Sequence, residues 1–412
     1  MTQLDRRLGV RDAVVIGLGS MLGAGVFVAF APAAALAGGA GMLVALALAG
    51  AVAFCNATSS ARLAARYPES GGTYVYGRER LGDLAGFLAG WAFVTGKTAS
   101  CAAMALTIGA YVWPAGAKLV AVVAVAALTA VNLLGIEKTA WATTALVSVT
   151  MLVLGTVAVV GLAAGPFDID HIGQSGGTGI RGVLSAAGLL FFAFAGYARI
   201  ATLGEEVRDP ERTIPRAIPV ALGIVLLIYV LLAVVSLGVL GVDALARSTA
   251  PLADVVEAAG TPWLAWAVRI GAGVAVTGVL LALLAGVGRT TLAMARRRDF
   301  PHALAAVHER YQVPHRAEIA VAVAVTALVV LGDLVTAIGF SSCTVLVYYA
   351  VTNASALTLG RGRIVAALGL LGCLTLAVTL PTRSVVAGFA VLAVGLAGYL
   401  ALSRIRARHR RA

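Results

Sequence analysis

The chain has 412 residues, of which 60% are hydrophobic and 12% charged, and its mean hydropathy is +0.95. This balance excludes an ordinary soluble domain and indicates a protein embedded in a membrane. The formal net charge of +12 does not call for a nucleic acid partner, because the basic residues follow a pattern that a membrane explains.

Apolar segments long enough to cross a bilayer recur along nearly the whole chain. A spanning helix needs about 20 mostly apolar residues, whereas strands of a membrane β-barrel would alternate apolar and polar residues over about 10. Runs such as VAVVGLAAG do not alternate, so the sequence predicts helices. Twelve segments are predicted, near residues 12–34, 40–64, 84–112, 117–136, 141–164, 182–204, 215–241, 262–295, 317–332, 334–358, 363–380 and 384–404.

The first segment has features of a secretory signal, because basic residues precede it and APAAALAG offers a small-residue cleavage site. We interpret it instead as a retained first helix, since its apolar run is long and many similar segments follow. No connector is large enough to fold alone, so one membrane domain is predicted. Its parts are a cytoplasmic N-terminus (1–11), a ten-helix core (12–358), two additional helices (363–404) and a basic tail (405–412).

Basic residues are concentrated on one side of the predicted segments. If the N-terminus is inside, the outer connectors hold Lys118, Arg181, Arg247, Arg269 and Arg383, whereas the inner connectors and the termini hold most of the others. This asymmetry follows the positive-inside rule and predicts an even number of spans with both termini in the cytoplasm.

Cysteine and histidine offer no metal chemistry. The four cysteines fall within predicted spans and have no CxxC spacing, and the five histidines lie in connectors or the tail. We therefore expect no metal site, no disulfide framework and no cofactor.

The first predicted helix is interrupted by GLGSMLGAG at residues 17–25, which contains four glycines and a serine. A second interruption occurs in the sixth helix at Gly196, among small alanines. Broken helices are tolerated in a bilayer where the freed backbone groups face protein or a water-filled cavity. Two interruptions five helices apart predict inverted repeats with a binding site between them. The alternative, glycines that only allow close helix packing, explains one glycine better than a matched pair.

An unwound stretch at residues 23–25 would provide groups for both ends of a zwitterion. The amides that begin the second half-helix lie at the positive end of its dipole, which suits a carboxylate. The carbonyls that end the first half-helix, near Ser20, Met21 and Leu22, can accept hydrogen bonds from an ammonium group. This break therefore predicts a site for a small zwitterionic molecule.

Four stretches of the chain resemble a known family in the family's own order. GLGSMLGAGVF resembles the first-helix motif of the amino acid–polyamine–organocation superfamily. The other three stretches are similar to the bacterial and cationic amino acid transporter branch of that superfamily. The connection between its second and third helices resembles RYPESGGTYVYGRERLGDLAGFLAGW, and its sixth helix with the following loop resembles FFAFAGYARIATLGEEVRDPERTIPRAI. Its eighth helix with the following loop resembles GVGRTTLAMARRRDFPHAL. The resemblance covers most of the first 320 residues, and the last two helices carry no such motif.

The resemblance implies an all-α integral membrane protein with the leucine-transporter fold, a 5+5 inverted repeat with broken helices 1 and 6, plus two appended helices. It implies an alternating-access amino acid transporter of the bacterial plasma membrane. By position, the amides of Gly23, Ala24 and Gly25 would bind the substrate carboxylate. Phe192 matches an aromatic lid over the substrate, whereas Phe191 is interpreted as core packing. The carbonyls for the substrate amine and part of the pocket would come from Phe192, Ala193, Phe194, Ala195 and Gly196.

Two cations and a hydroxyl within the predicted helices are candidates for gating or coupling. A charge at membrane depth costs at least ~2.5–3.5 kcal/mol, so Lys97 and Arg199 are functional candidates. We expect Lys97 to face the cavity, either as a charge that pairs with an acid of the inner gate or as a group whose protonation changes during transport. Arg199 has structural and functional interpretations of equal weight. Proton-coupled relatives often carry a fifth-helix lysine that this chain lacks. Thr150, at or next to that position, is either an ion ligand or an ordinary small polar residue.

The loop GEEVRDPERTIPRAI places Glu205 and Glu206 beside several arginines. A solvated charge cluster is one interpretation, and the favoured one is a salt-bridge network at the inner gate. The predicted apolar interiors contain no Asp or Glu, so a cationic side chain would find no counter-charge. We therefore expect a neutral, or an anionic, amino acid as substrate; the alternative is a cationic amino acid, a polyamine or another organic cation.

Other functional classes fit the sequence less well. A membrane enzyme would need a catalytic constellation at membrane depth, and the sequence offers none. An ion channel remains the alternative of a different class, which saturable counterflow would distinguish from a carrier. The expected partners are an amino acid and the lipid bilayer, without nucleic acid, and the oligomeric state is left open. H⁺ is the candidate coupling ion, Na⁺ is less favoured, and uncoupled exchange is the alternative to both.

Overall fold

A computed structural model describes residues 8–67, 71–135, 140–174, 178–201 and 207–409. Within these ranges the chain is helical and forms no strand, apart from an isolated bridge between Leu8 and Val207. The predicted all-α class is therefore confirmed.

The first half of the chain begins with three consecutive helices where the sequence predicted one broken helix. Leu22 and Gly23 separate α1 from α2, Ala29 separates α2 from α3, and Gly38, which has φ 71°, separates α3 from the next span. The helices are α1 (Val10–Met21), α2 (Ala24–Val28), α3 (Phe30–Ala37), α4 (Gly39–Arg66), α5 (Thr73–Leu81), α6 (Asp83–Val112), α7 (Ala117–Leu133), α8 (Ala140–Ala163) and α9 (Asp170–Gly173).

The second half of the chain also contains a broken helix, followed by long continuous ones. Three of its helices begin with proline at the first position, where the missing N–H has no intrahelical partner to lose. The helices are α10 (Gly179–Phe194), α11 (Ala198–Ala201), α12 (Pro210–Arg247), α13 (Pro251–Ala258), α14 (Pro262–Arg296), α15 (His315–Leu331), α16 (Leu334–Leu357), α17 (Arg363–Thr379) and α18 (Thr382–His409).

Nine helical segments of the described chain are long and apolar enough to cross a membrane. Three further predicted segments, now α6, α15 and α17, are helical but fall outside this set, so the count of twelve spans stays a prediction. Large apolar side chains such as Leu152, Ile180 and Leu331 lie on the outside of the bundle, as a lipid environment requires.

The packing of helices repeats between the two halves. α1 packs on α12 while α10 packs on α4, and α6 packs on α16 while α14 packs on α8. If each helix is replaced by its counterpart five spans away, the contact between α1 and α12 becomes the contact between α10 and α4. In the same way, the contact between α6 and α16 becomes the contact between α14 and α8. Such reciprocity is expected of an inverted repeat, and it places both broken helices at the centre of the molecule.

Candidate functional site

The first break lies between α1 and α2. Leu22 (φ −78°, ψ 55°) and Gly23 (φ −110°, ψ −147°) leave the helical conformation, and the Gly23 amide turns back to the Met21 carbonyl at 2.8 Å. A Cβ on Gly23 would lie 3.3 Å from the Val279 side chain of α14. The Ser20 hydroxyl donates to the Ile16 carbonyl at 2.9 Å and so serves its own helix.

The second break lies between α10 and α11. α10 ends at Phe194, and residues 195–197 form a 3₁₀ turn before Ala198 resumes the α-helix. This tighter turn changes the hydrogen-bond register, so carbonyls at the end of α10 are redirected away from a continuous helix. Ala195, at the C-cap of α10, has φ −64° and ψ 1°.

The two breaks meet backbone to backbone. A Cβ on Gly25 would overlap the Cα of Ala193, and a Cβ on Gly196 would overlap the carbonyl of Ser20. Any larger residue would force the two chains apart, so close approach explains glycine at both positions. The residues predicted from the first and sixth helices therefore lie side by side.

A tyrosine that the sequence analysis did not select joins the two breaks. The Tyr229 hydroxyl of α12 lies 2.7 Å from the Met21 carbonyl and 3.0 Å from the Ala193 carbonyl. A hydroxyl has one proton to donate, so these two carbonyls share it. The Tyr229 ring also packs edge-on against Phe30 and Phe194. Tyr229 therefore fixes the spacing of the two broken helices.

Lys97 reaches the second break from α6. Its side chain is buried, with the residue 8% exposed, and its Nζ donates to the Ala195 carbonyl at 3.3 Å. Lys97 lies near the middle of this 30-residue helix, about 21 Å from either end at 1.5 Å per residue. None of the salt bridges within the described residues includes Lys97.

Aromatic and apolar side chains surround the breaks. Phe192 is buried at 8% exposure, and Phe191 packs edge-on against Tyr349 of α16 at 5.8 Å between centroids. Beyond α2, the Tyr111 hydroxyl donates to the Phe27 carbonyl at 2.8 Å, and the two rings pack edge-on. The side chains around the breaks are therefore mainly aromatic or aliphatic, and the positively charged amine of Lys97 lies among them.

The remaining coupling and gate candidates lie on α8, on α11 directly after the second break, or outside the described residues. Thr150 is buried on α8, and its hydroxyl donates to the Leu146 carbonyl of the same helix at 2.8 Å. Arg199 is exposed on α11. Glu205 and Glu206 lie outside the described residues. The segment that follows them is tied to the N-terminal segment, where the Arg208 amide donates to the Leu8 carbonyl at 2.9 Å.

One expectation about acidic residues is wrong. Glu318 lies inside the predicted segment 317–332 and is buried against Gly288 of α14, with its Oε2 unpaired among the described residues. Glu318 lies one residue inside the end of that segment, where the apolar pattern does not distinguish a span from a connector. Gly288 is nine residues from Val279 on α14, about 14 Å along the helix, so this acid is not at the break.

A buried network connects two of the motifs that carried the family resemblance. Asp299, after α14, accepts hydrogen bonds from the Tyr74 hydroxyl at 2.7 Å and from Arg78 at 3.1 Å, both on α5. Arg78 also pairs with Asp83 at 3.1 Å. Burial, together with the hydrogen bond to Asp299, raises the pKa of the Tyr74 phenol. The sequence alone could not predict this network, because Asp299 is more than 200 residues from both Tyr74 and Arg78.

Comparison with known proteins agrees with this architecture. The amino acid permease family model matches residues 8–402. Uncharacterized transporters of Mycobacterium bovis and Mycobacterium tuberculosis are 61% identical over 402 residues, covering 96% of this chain and 91% of theirs. A branched-chain amino acid permease of Bacillus subtilis is 28% identical, covering 76% of this chain and 72% of its own. A vacuolar cationic amino acid transporter of Arabidopsis thaliana is 30% identical, covering 81% of this chain and 59% of its own. The chain therefore belongs to the amino acid permease family of the amino acid–polyamine–organocation superfamily.

Proposed function

We propose that this protein is a secondary transporter that moves neutral amino acids across the bacterial plasma membrane by alternating access. The observation that carries the proposal is the meeting of two broken helices at the centre of the inverted repeat. The Gly23 amide and the Met21 and Ala193 carbonyls have partners within the protein, and the other amides and carbonyls at the half-helix ends would bind the carboxylate and the ammonium of an amino acid. The coupling mode is proton symport or exchange, with both termini in the cytoplasm.

Neutral side chains suit the surroundings of the breaks. The side chains near them are mainly aromatic or aliphatic, including Phe192, Phe194 and Val279. The amine of Lys97 lies at the second break, where its positive charge would repel a cationic side chain. The name of the Bacillus subtilis relative, a branched-chain amino acid permease, supports an apolar substrate.

Cationic amino acids are the second candidate class. This alternative is favoured by the names of several Arabidopsis relatives, which are cationic amino acid transporters. The buried Glu318 does not supply the missing counter-charge, because it lies about 14 Å along α14 from the break. Competition between substrates therefore separates the two classes.

Uptake into proteoliposomes tests the proposal. Radiolabelled alanine, leucine, glutamate, arginine and lysine would be offered to purified protein, with an inward proton gradient, without one, and after preloading with unlabelled amino acid. We expect saturable uptake of alanine or leucine that excess arginine or lysine does not displace. Displacement by the basic amino acids would assign the cationic class, and unsaturable flux without counterflow would indicate a channel.

A matched pair of glycine variants tests whether the site lies at the breaks. Gly25→Ala adds a methyl group that overlaps Ala193, whereas Gly223→Ala adds the same methyl group to an open position on α12. We expect Gly25→Ala to reduce uptake at least tenfold and Gly223→Ala to retain it. Equal uptake by both variants would contradict a substrate site at the paired breaks.

A further inference from the structure

Lys97 donates a hydrogen bond where a substrate amine is proposed to bind. Its Nζ lies 3.3 Å from the carbonyl of Ala195, the C-cap residue of α10 at the second break. A carbonyl at a helix end carries partial negative charge and, when buried, needs a donor. The Lys97 ammonium, carried on a flexible side chain, donates that hydrogen bond.

A substrate α-ammonium and the Lys97 ammonium are the same chemical group and seek the same acceptor. Two positive charges beside one carbonyl repel each other strongly in a buried site, where little water screens them. A bound zwitterion would therefore require Lys97 either to withdraw or to lose its charge. Withdrawal to water is blocked by its depth, because Lys97 lies near the middle of α6.

Few charged groups surround Lys97 within the described residues. On α6 itself, Cys101, one turn further along, is the titratable group that interacts with it electrostatically. None of the described carboxylates lies within salt-bridge distance of its amine. The described titratable side chains on the helices packed against α6 are Tyr74, Tyr76, Arg78, Glu79 and Arg80 on α5, Lys118 on α7, Arg269, Arg289 and Arg296 on α14, His315, Arg316 and Glu318 on α15, Cys343, Tyr348 and Tyr349 on α16, and Arg383 and Tyr399 on α18. The hydrogen bond that Lys97 makes goes to the Ala195 carbonyl and not to any of these side chains or to Tyr197 beside the break.

We propose that in the substrate-free protein the Lys97 ammonium holds the position of the substrate amine, and that it releases its proton when an amino acid binds. The protein with Lys97 as –NH₃⁺, plus a zwitterion, becomes the protein with Lys97 as –NH₂ holding that zwitterion, plus one H⁺ in solvent. No bond to carbon changes, and no oxidant or reductant is needed. This inference rests on the proposed function, and it gives a third coupling mode, antiport of amino acid against proton, in place of proton symport or uncoupled exchange.

Calorimetry of substrate binding tests this proton release. Purified full-length protein in detergent would be titrated with L-leucine and L-alanine at one pH in several buffers of different ionisation enthalpy. The slope of measured heat against buffer ionisation enthalpy gives the protons released. We expect release of up to one proton from the wild type, none from Lys97→Gln, and wild-type release from Thr98→Val. Thr98 is a suitable control because its hydroxyl donates to the Val94 carbonyl of the same helix.

The pH dependence of wild-type affinity keeps the test independent of the variant's folding. Proton release requires Kd to fall as pH rises, by up to tenfold per pH unit while Lys97 is charged in the empty protein. Binding without proton release, or equal release from Lys97→Gln, overturns the inference and leaves the proposed transport function intact. Absence of both binding and uptake for all amino acids tested overturns the proposed function, and this inference with it.

Discussion

Two short helices occupy equivalent places in the two repeats, yet they are held differently. α5 follows the second span and is held by Arg78 and Asp299, 3.1 Å apart, with the Asp299 side chain 1% exposed. α13 follows the seventh span, and its Asp254 and Glu257 lie 3.7 and 3.5 Å from Arg269, with carboxylates 34% and 48% exposed. A broken buried pair costs far more free energy than a broken exposed pair.

This difference indicates that opening the α5 face of the protein costs more free energy than opening the α13 face. An inverted repeat supplies the same scaffold on both faces, so the energetic contrast must come from side chains. α5 lies on the face predicted to be cytoplasmic and α13 on the opposite face. We therefore expect the α13 face to open more readily than the α5 face.

The largest effect is expected for Asp299→Ala, which removes the acceptor of both Tyr74 and Arg78 at once. Loss of one partner from a buried pair costs about 3 kcal/mol, because the other charge stays buried. The midpoint of thermal unfolding in detergent would measure it. Asp83→Ala is the matched control, since the Asp83 side chain is 74% exposed. Equal losses for the two variants would contradict a buried network at α5.

A smaller effect is expected for Tyr74→Phe, which removes one hydroxyl and keeps the ring. The expected cost is about 1 kcal/mol, since Asp299 retains its contact with Arg78. In an Asp299→Ala background the same change should cost less, because the Tyr74 hydroxyl then has, among the described residues, only the hydrogen bond that it accepts from Arg78 at 3.2 Å. The same thermal measurement in the four proteins of this cycle gives the coupling, and purely additive losses would show that the two groups act independently.

The smallest effect is expected for Arg269→Ala on the α13 face. Exposed pairs contribute about 0.2–1 kcal/mol, and salt weakens them as the screening length falls from about 10 Å at 0.1 M to about 3 Å at 1 M. Thermal unfolding at both salt concentrations should therefore show an Arg269→Ala effect that disappears at high salt. The Asp299→Ala effect should persist, and a reversed order of salt sensitivity would contradict the comparison.

Local composition was sufficient to predict the broken helices. Glycines that interrupt an apolar run indicated the break at residues 17–25, and the spacing of five helices indicated its partner at Gly196. Lys97 was likewise predicted to be functional from local sequence, because a cation within an apolar run is rare. These signals are local and need no knowledge of packing.

Contacts between distant parts of the chain were beyond such reasoning. Tyr229 lies in an ordinary apolar helix, and its role depends on carbonyls 208 and 36 residues away. The helix α13 was assigned to a connector because its eight residues are too few to resemble a span. Glu318 was missed at a segment boundary, where apolar patterns are least informative.

The burial of Lys97 also brings the empty site under the influence of the membrane voltage. One elementary charge moved across the full membrane changes in energy by about 2.3 kcal/mol per 100 mV. Lys97 lies near the middle of α6, so switching its access from one face to the other moves the charge through part of that field. A carrier that is charged when empty returns at a rate set by voltage, and the electrical state of the cell then regulates its turnover.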